Sequence, residues 1–262
     1  MPTALITGAS SGLGEEFAYA LARERCDLVL TARREDRLAA VAARARTAGA
    51  ANVRTICADL SARETPHSIY QQLTSDGGQV DYLVNNAGFG TTGNFADLPI
   101  DRELEEIDLN VTSLVAMTRL FLPPMVGRRR GTIINVASTA AFQPTPYMAT
   151  YGSTKAFVLN FSEAVASEVR RTGVTVMALC PGPVHTEFQQ VAKIDRMRLP
   201  SFVWTDAARV VSEGIAAAAA GRAVCVTGGF NAAMVLASKF TPRALTTYIT
   251  NAVMRPARAN NK

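Results

Sequence analysis

The chain has 262 residues, of which 48% are apolar, and its formal net charge is +5. That length and apolar fraction are enough for a sizeable buried core and exclude an intrinsically disordered chain. Four scattered cysteines without a CxxC pair exclude a disulfide framework, and the lack of about 18 uninterrupted apolar residues argues against a membrane-spanning helix.

The N-terminus runs directly into an apolar segment and a glycine turn, without the charged and hydrophobic regions of an export signal. We therefore predict a cytoplasmic protein, in which the four cysteines are reduced thiols of the core: Cys26, Cys57, Cys180 and Cys225. No acidic residue follows Glu213, whereas six basic residues do. A basic tail of this kind is usually solvated, and it also allows a weak contact with a membrane surface. Nucleic-acid binding is not predicted, because the tail lacks the clustered basic residues interleaved with stacking aromatic side chains that a nucleic-acid surface needs.

Short apolar, β-branched runs alternate with longer segments of helical spacing along the whole chain. The predicted strands are 3–7, 27–32, 53–58, 81–87, 131–138, 174–180 and 222–228, and the predicted helices lie near 13–24, 34–48, 62–75, 101–126, 151–171 and 205–220. Strands that form nearly continuous apolar runs are buried on both faces, as in a parallel sheet covered by helices. The sequence thus predicts one α/β domain over 1–262, doubly wound and Rossmann-like, with about seven parallel strands and helices on both faces.

Two segments interrupt this alternation. Residues 183–204 show no clear helix or strand period, and we predict that they form a lid over a substrate. Residues 230–262 follow the last predicted strand, and we predict that they form a C-terminal helical extension.

The segment "TGASSGLG" (7–14) follows the first strand and opens a helix. Its glycines at 8, 12 and 14 allow a tight turn and a close backbone approach, so that a pyrophosphate could bind at the helix N-terminus. The pattern is neither the commoner GxGxxG nor a P-loop, which would need Gly-Lys-Ser/Thr. It resembles the TGxxxGxG cofactor turn of the short-chain dehydrogenase/reductase family.

The resemblance extends over residues 3–228 and implies a nicotinamide cofactor. Ala32 occupies the position of the acidic residue of NAD-using members, and Arg33 and Arg34 follow it. A guanidinium group suits a 2′-phosphate by charge and by its forked donors, so NADP(H) is favoured over NAD, although solvated arginines at a helix start are the alternative. Asp59 is expected near the adenine or as an N-cap of the next helix. The cofactor-binding residues implied by the resemblance are Gly8, Ser10, Ser11, Gly12, Leu13, Gly14, Arg33, Arg34, Asp59, Leu60, Asn86, Ala87, Gly88, Tyr151, Lys155, Pro181, Gly182, Val184 and Thr186.

The resemblance also implies a catalytic set of Asn110, Ser138, Tyr151 and Lys155. Tyr151 and Lys155 are four residues apart, which places them on one face of a helix. A free tyrosine has a pKa of about 10, and a charged lysine nearby is expected to lower it so that the phenol can exchange a proton with the substrate oxygen. Ser138 would hold that oxygen. Asn110 would complete a proton relay, unless its side chain bonds back to its own helix.

The sequence therefore predicts an NADP(H)-dependent oxidoreductase that interconverts a carbonyl group and a secondary alcohol. Aromatic and methionine side chains near the predicted pocket favour an apolar small-molecule substrate: Phe89, Phe142, Met148, Phe188, Phe202 and Trp204. A nicotinamide-dependent epimerase or isomerase and a non-catalytic NADPH sensor are the alternatives. No metal site is predicted. A homo-oligomer, a dimer or a tetramer, is expected from the resemblance, although the C-terminal extension could cover or replace a subunit interface.

Overall fold

The computed structural model describes residues 1–192 and 203–255. Seven apolar runs form seven strands of one sheet, in which every neighbouring pair is parallel. The strands are β1 (Thr3–Thr7), β2 (Asp27–Ala32), β3 (Val53–Cys57), β4 (Tyr82–Asn85), β5 (Gly131–Val136), β6 (Val174–Cys180) and β7 (Val224–Val226). The predicted fold class is confirmed.

The strand order is β3-β2-β1-β4-β5-β6-β7, so the chain first moves outward from β1 and then returns to its other side at β4. In open parallel sheets a ligand binds in the crevice at such a reversal, beyond the carboxyl ends of the strands. The glycine turn follows β1 and the segment "NNAG" closes β4, so the sheet brings both motifs to this crevice.

Helices cover both faces of the sheet. They are α1 (Gly12–Arg23), α2 (Glu35–Ala48), α3 (Thr65–Thr74), α4 (Ile100–Ile107), α5 (Leu114–Gly127), α6 (Ala149–Glu168), α7 (Phe188–Val191), α8 (Ala207–Ala219), α9 (Gly229–Ser238) and α10 (Arg243–Met254). One core cluster packs Phe17, Leu21 and Leu38 of α1 and α2 against one face. Another packs Met117 and Phe121 of α5 against the opposite face.

Two expectations need correction. Asp59 does not cap α3, because that helix begins only at Thr65. The thiol of Cys57 is not part of the core, since β3 lies at the edge of the sheet and Cys57 is exposed there, whereas the other three cysteines are buried.

Helices α4 and α5 run as one continuous helical stretch, joined by the π-helical turn Asp108–Ser113. By length and composition alone, Ile100–Gly127 is apolar enough to cross a membrane. Its α5 part buries Met117, Phe121 and Met125 in the core beside the sheet, and this burial accounts for the apolar composition of that part.

Candidate active site

The glycine turn packs its backbone directly on the end of β4. Gly8 and Gly12 have φ angles of +65° and +59°, which side chains rarely adopt. A Cβ atom on Gly8 would lie 2.8 Å from the Cα of Ala87, and one on Gly14 would lie 2.3 Å from the carbonyl oxygen of Gly8. These positions therefore require glycine, and they leave a cradle of exposed backbone at the start of α1.

Thr7, which precedes this turn, ties β1 to β4. Its hydroxyl accepts hydrogen bonds from the backbone N–H groups of Asn86 and Ala87, both at 2.9 Å, and donates to the carbonyl oxygen of Val84 at 3.2 Å. The Asn86 amide donates to the Thr7 carbonyl at 2.9 Å and to the Gly8 carbonyl at 3.2 Å. Asn86 thus fixes the cradle, and the contribution of Thr7 was not predicted.

The two arginines after β2 lie at the rim of the same cradle. Arg34 donates through Nη2 to the hydroxyls of Ser10 and Ser11, at 3.1 and 3.0 Å. The same nitrogen lies 2.9 Å from Oε2 of Glu187, an acid that sequence reasoning missed. Arg33 pairs with Glu105 at 3.2 Å and with Asp59 at 3.7 Å. The turn and both arginines thus line the same cavity, as the predicted cofactor site requires.

Asp59 is held by local hydrogen bonds. Its Oδ1 accepts from the backbone N–H of Ser61 at 3.0 Å and from the Ser61 hydroxyl at 2.7 Å. Partial burial opposes its charge, but these bonds and the nearby Arg33 guanidinium lower the pKa of Asp59 below its ordinary value. A carboxylate acceptor therefore stands beside the arginine at this edge of the crevice.

Ser138, Tyr151 and Lys155 come together where β5 ends and α6 begins. The Lys155 ammonium is buried, donates to the carbonyl oxygen of Val136 at 2.8 Å, and lies 5.8 Å from the centroid of the Tyr151 ring. The Ser138 hydroxyl is hydrogen-bonded to Tyr151 and also accepts from the backbone N–H of Ala140 at 3.1 Å. A hydroxyl, a phenol and an ammonium group thus share one place at the carboxyl edge of the sheet.

Asn110 lies in the π-helical turn, and its side chain points across the site. Its amide nitrogen donates to the carbonyl of Phe89 at 2.9 Å and to the Thr154 hydroxyl at 3.1 Å, and its oxygen accepts from the Phe89 N–H at 3.1 Å. The alternative of a side chain bonded back to its own helix is therefore wrong. Single π-helical turns are frequent at functional sites, since the extra residue redirects a side chain.

Burial dominates the acid–base properties of the pair. It raises the pKa of Tyr151 to about 12, which the charge of Glu106 reinforces and the hydrogen bond from Ser138 opposes. Burial also lowers the pKa of Lys155 to about 8, which Glu106 opposes. The loss of water around the phenol therefore outweighs the lowering of the tyrosine pKa that was expected from the nearby lysine.

Two buried acids of α4 support the site and were not predicted. The exposed fraction is 4% for Glu103 and 0% for Glu106. Glu106 accepts from the backbone N–H and the hydroxyl of Thr91, both at 2.9 Å, and Glu103 accepts from the hydroxyl of Thr150, the neighbour of Tyr151. Burial raises the pKa of Glu106 to about 7, and the nearby Glu103 adds to the rise. The only sequence signal was the four-residue spacing from Glu106 to Asn110.

A cavity of about 850 Å³ connects these parts. It is lined by the glycine turn, both arginines, the cluster of Ser138, Tyr151 and Lys155, and five of the six predicted apolar wall residues: Phe89, Phe142, Met148, Phe188 and Trp204. The sixth, Phe202, lies outside the described residues. His185 stacks on Trp204, with ring centroids 4.3 Å apart, as a loop residue would.

The segment after β6 closes over the glycine turn. A Cβ atom on Gly12 would lie 3.2 Å from Thr186, and Val184 forms an isolated parallel bridge with Thr205. Gly182 is required where it stands, because a Cβ there would lie 2.2 Å from the Asn231 amide of α9. Every predicted cofactor-binding residue except Gly14 lines the cavity, including Leu13, Leu60, Gly88 and Pro181. The centre of the predicted lid, residues 193–202, lies outside the described residues.

A protein-family comparison identifies the chain. Residues 2–196 match the model of the short chain dehydrogenase family. The chain belongs to this family.

Individual members agree with that assignment. A very-long-chain 3-oxoacyl-CoA reductase of Anas platyrhynchos is 33% identical over 196 residues, covering 72% of this chain and 62% of that protein. A short-chain dehydrogenase from Sphingobium yanoikuyae in complex with NADPH is 31% identical, with a TM-score of 0.83 and 100% coverage of both chains. A bulky-bulky ketone specific alcohol dehydrogenase from Comamonas testosteroni is 27% identical, with a TM-score of 0.78, covering 100% of this chain and 97% of that chain.

The chain is short beside some of its curated relatives. The matched part spans 57 to 62% of the length of three of them.

Proposed function

We propose that this protein is an NADPH-dependent oxidoreductase that interconverts a carbonyl group and a secondary alcohol on an apolar small molecule. The observation that carries the proposal is the single cavity that joins the glycine turn and Arg34 to the cluster of Ser138, Tyr151 and Lys155. A dinucleotide and a substrate could occupy the two ends of that cavity. NAD is the disfavoured cofactor, since both residues after Ala32 carry a guanidinium group.

The residues fit a dinucleotide phosphate. The cradle at Gly8 and Gly14 admits no side chain, so it offers backbone and the N-terminus of α1 to a pyrophosphate. Arg34, with the hydroxyls of Ser10 and Ser11 within 3.1 Å of it, would hold the 2′-phosphate. The Asp59 carboxylate would lie near the adenine and Lys155 near the nicotinamide ribose.

The bound nicotinamide would supply or accept the hydride. Tyr151, whose pKa burial raises, carries its proton at neutral pH and would donate it to the substrate oxygen in the reductive direction. Ser138 would orient that oxygen beside the phenol. Lys155, with a pKa lowered to about 8, is still mostly charged at neutral pH and would stabilise the phenolate that remains. Asn110 would position Phe89 and Thr154 around this centre.

An apolar substrate is supported by the cavity wall, in which aromatic and methionine side chains surround the catalytic hydroxyls. Of the relatives named above, one is a very-long-chain 3-oxoacyl-CoA reductase and another is an alcohol dehydrogenase specific for bulky-bulky ketones. We therefore infer that the substrate is a bulky or long-chain carbonyl compound.

A homo-oligomer is supported by α4, whose apolar residues face outward. Ile100, Leu104 and Ile107 are exposed at i, i+4 and i+7, while the acids Glu103 and Glu106 are buried. Asp101, Arg102 and Glu105 add both signs of charge beside this stripe. A second copy could match such a face, as in a dimer or a tetramer.

A weak membrane contact by the C-terminal segment is a further part of the proposal, and the cytoplasmic location stays a prediction.

The test is to titrate the protein with NADPH and with NADH by calorimetry, in wild type and in the double variant Arg33→Ala/Arg34→Ala. We expect wild type to prefer NADPH and the double variant to lose that preference while it still binds NADH. Arg44→Ala is the matched control, because Arg44 pairs with Glu15 on α1 and is not a cavity residue. Equal affinity of wild type for both cofactors, or a preference that survives in the double variant, would refute the cofactor assignment.

A further inference from the structure

The C-terminal helices α9 and α10 are joined by the short turn 239–242, and we call this pair of helices the hairpin. In α10 the apolar and polar sides are reversed. In α10 the buried residues are Thr246 and Thr250, and the Thr250 hydroxyl donates to the carbonyl of Pro144 at 3.1 Å. Leu245, Tyr248 and Ile249 of the same helix are exposed. A helix that faces water shows the opposite arrangement, with its apolar stripe inward. The exposed side of α10 therefore suits an apolar partner.

Exposed apolar surface is concentrated there. Of the fourteen large apolar side chains exposed in the described chain, eight lie between residues 230 and 253. Phe240, in the turn between the two helices, is 83% exposed, and Tyr248 is 74% exposed. Four of the eight line the cavity, namely Phe230, Met234, Ile249 and Val253, and the other four do not. Such a concentration of exposed apolar side chains indicates an interaction site.

The charge of the hairpin selects the partner. Lys239, Arg243 and Arg255 flank the apolar face, and no acidic residue occurs after Glu213. Two copies placed face to face through this surface would bring like charges together. An anionic lipid surface instead neutralises them, at about 1 kcal/mol for each Lys or Arg near the surface. The mixed charges beside the α4 stripe show no such bias.

The cavity reaches the same face. Met234, Ile249 and Val253 line the cavity and are also exposed, so they lie at its mouth on the hairpin. A molecule dissolved in a bilayer would meet this mouth without crossing water.

We propose that the α9–α10 hairpin docks on an anionic lipid bilayer and that the apolar carbonyl substrate enters the cavity from the bilayer. Entry of the substrate from the bilayer rests on the proposed oxidoreductase activity, whereas the docking does not rest on that activity. Phe240 and Tyr248 insert among the acyl chains near the headgroups, and the basic side chains bind lipid phosphates.

The docking test is co-sedimentation of the whole protein with phosphatidylcholine vesicles, with and without phosphatidylglycerol. Wild type should bind the anionic vesicles, and this binding should weaken as the salt concentration is raised. Phe240→Ser should lower the partition constant by about tenfold, the loss expected for one large apolar side chain. Lys239→Gln/Arg243→Gln should lower it at least as much on anionic vesicles and leave binding to neutral vesicles unchanged.

Phe95→Ser is the matched control, because Phe95 is also exposed but lies far along the chain from the hairpin, in a turn before α4. It should bind like wild type. Absence of wild-type binding to anionic vesicles, or equal binding of Phe240→Ser and Phe95→Ser, would overturn the docking. So would light scattering in which Phe240→Ser breaks an oligomer that Phe95→Ser keeps, since a second copy would then be the partner.

The entry test follows NADPH oxidation with a long-chain methyl ketone carried in the same vesicles. Phe240→Ser should raise KM about tenfold and leave kcat unchanged, because Phe240 is not a cavity residue. An unchanged KM would overturn entry from the bilayer. NADPH calorimetry on each variant separates the two ideas: vesicle binding without NADPH binding would leave the docking intact and refute the proposed function.

Discussion

The buried carboxyl group of Glu106 makes the stability of this protein depend on pH in a way that one substitution should remove. Its pKa rises from 4.5 to about 7 in the folded protein, chiefly by burial, with Glu103 adding to the rise. At 1.36 kcal/mol per pKa unit, ionising it in the fold costs roughly 3 kcal/mol. The free energy of unfolding is therefore highest below pH 4.5, where Glu106 is protonated in both states. It falls by this amount as the pH rises from 4.5 toward 7, and it stays lower above pH 7.

The substitution Glu106→Gln keeps an acceptor for Thr91 and removes the ionisation. Linkage then predicts that the stability of the variant relative to wild type increases by about 2.5 kcal/mol between about pH 5 and about pH 8. The buried amide N–H₂ introduces a cost of about 1–3 kcal/mol if it finds no acceptor, but that cost does not change with pH. The diagnostic quantity is therefore the change with pH and not the difference at one pH.

The assay is urea unfolding of wild type and variant at a series of pH values, with the free energy of unfolding compared pair by pair. Glu168→Gln, the same substitution at an exposed position of α6, is the control and should follow wild type. If the curves for wild type and Glu106→Gln run parallel across the pH range, Glu106 does not change its protonation on unfolding and the reasoning is wrong.

Three other variants test the site. Tyr151→Phe should lower turnover by about 10²- to 10⁴-fold, the usual contribution of a general acid, and leave the NADPH dissociation constant within about twofold; loss of binding instead of turnover would contradict the proton-donor role. Gly88→Ala puts a Cβ atom 2.7 Å from the Asn110 Oδ1 and 3.5 Å from the Lys155 Nζ, so NADPH affinity should fall by about tenfold or more, as calorimetry would measure. Glu187→Gln frees Arg34 from a carboxylate partner at 2.9 Å, and NADPH should then bind more tightly while NADH affinity stays the same; weaker NADPH binding would mean that Glu187 supports the site instead of competing with the phosphate.

The strands and the places where they end were readable from the sequence. Runs such as "DLVLTA" and "VTVMALC" are apolar at most positions and show no alternation of apolar and polar residues, which is typical of strands buried on both faces of a parallel sheet. Since parallel strands end at one edge, Gly8, Asn86 and Ser138 had to gather there, and the four-residue spacing put Tyr151 and Lys155 on one helix face. For this reason the structure brings the predicted site residues together.

The orientation of the helices was decided only by the tertiary structure. Periodicity shows which residues of a helix share a face, but not which face is turned inward. In α4 the acids turn inward because Thr91 and Thr150 offer them hydrogen bonds, and in α10 Thr250 turns inward toward the Pro144 carbonyl. The pairing of Arg34 with Glu187 likewise joins residues 153 positions apart in sequence. Local sequence therefore determined the sheet and its motifs, whereas contacts between distant segments set the charges around the tyrosine and the surfaces left for partners.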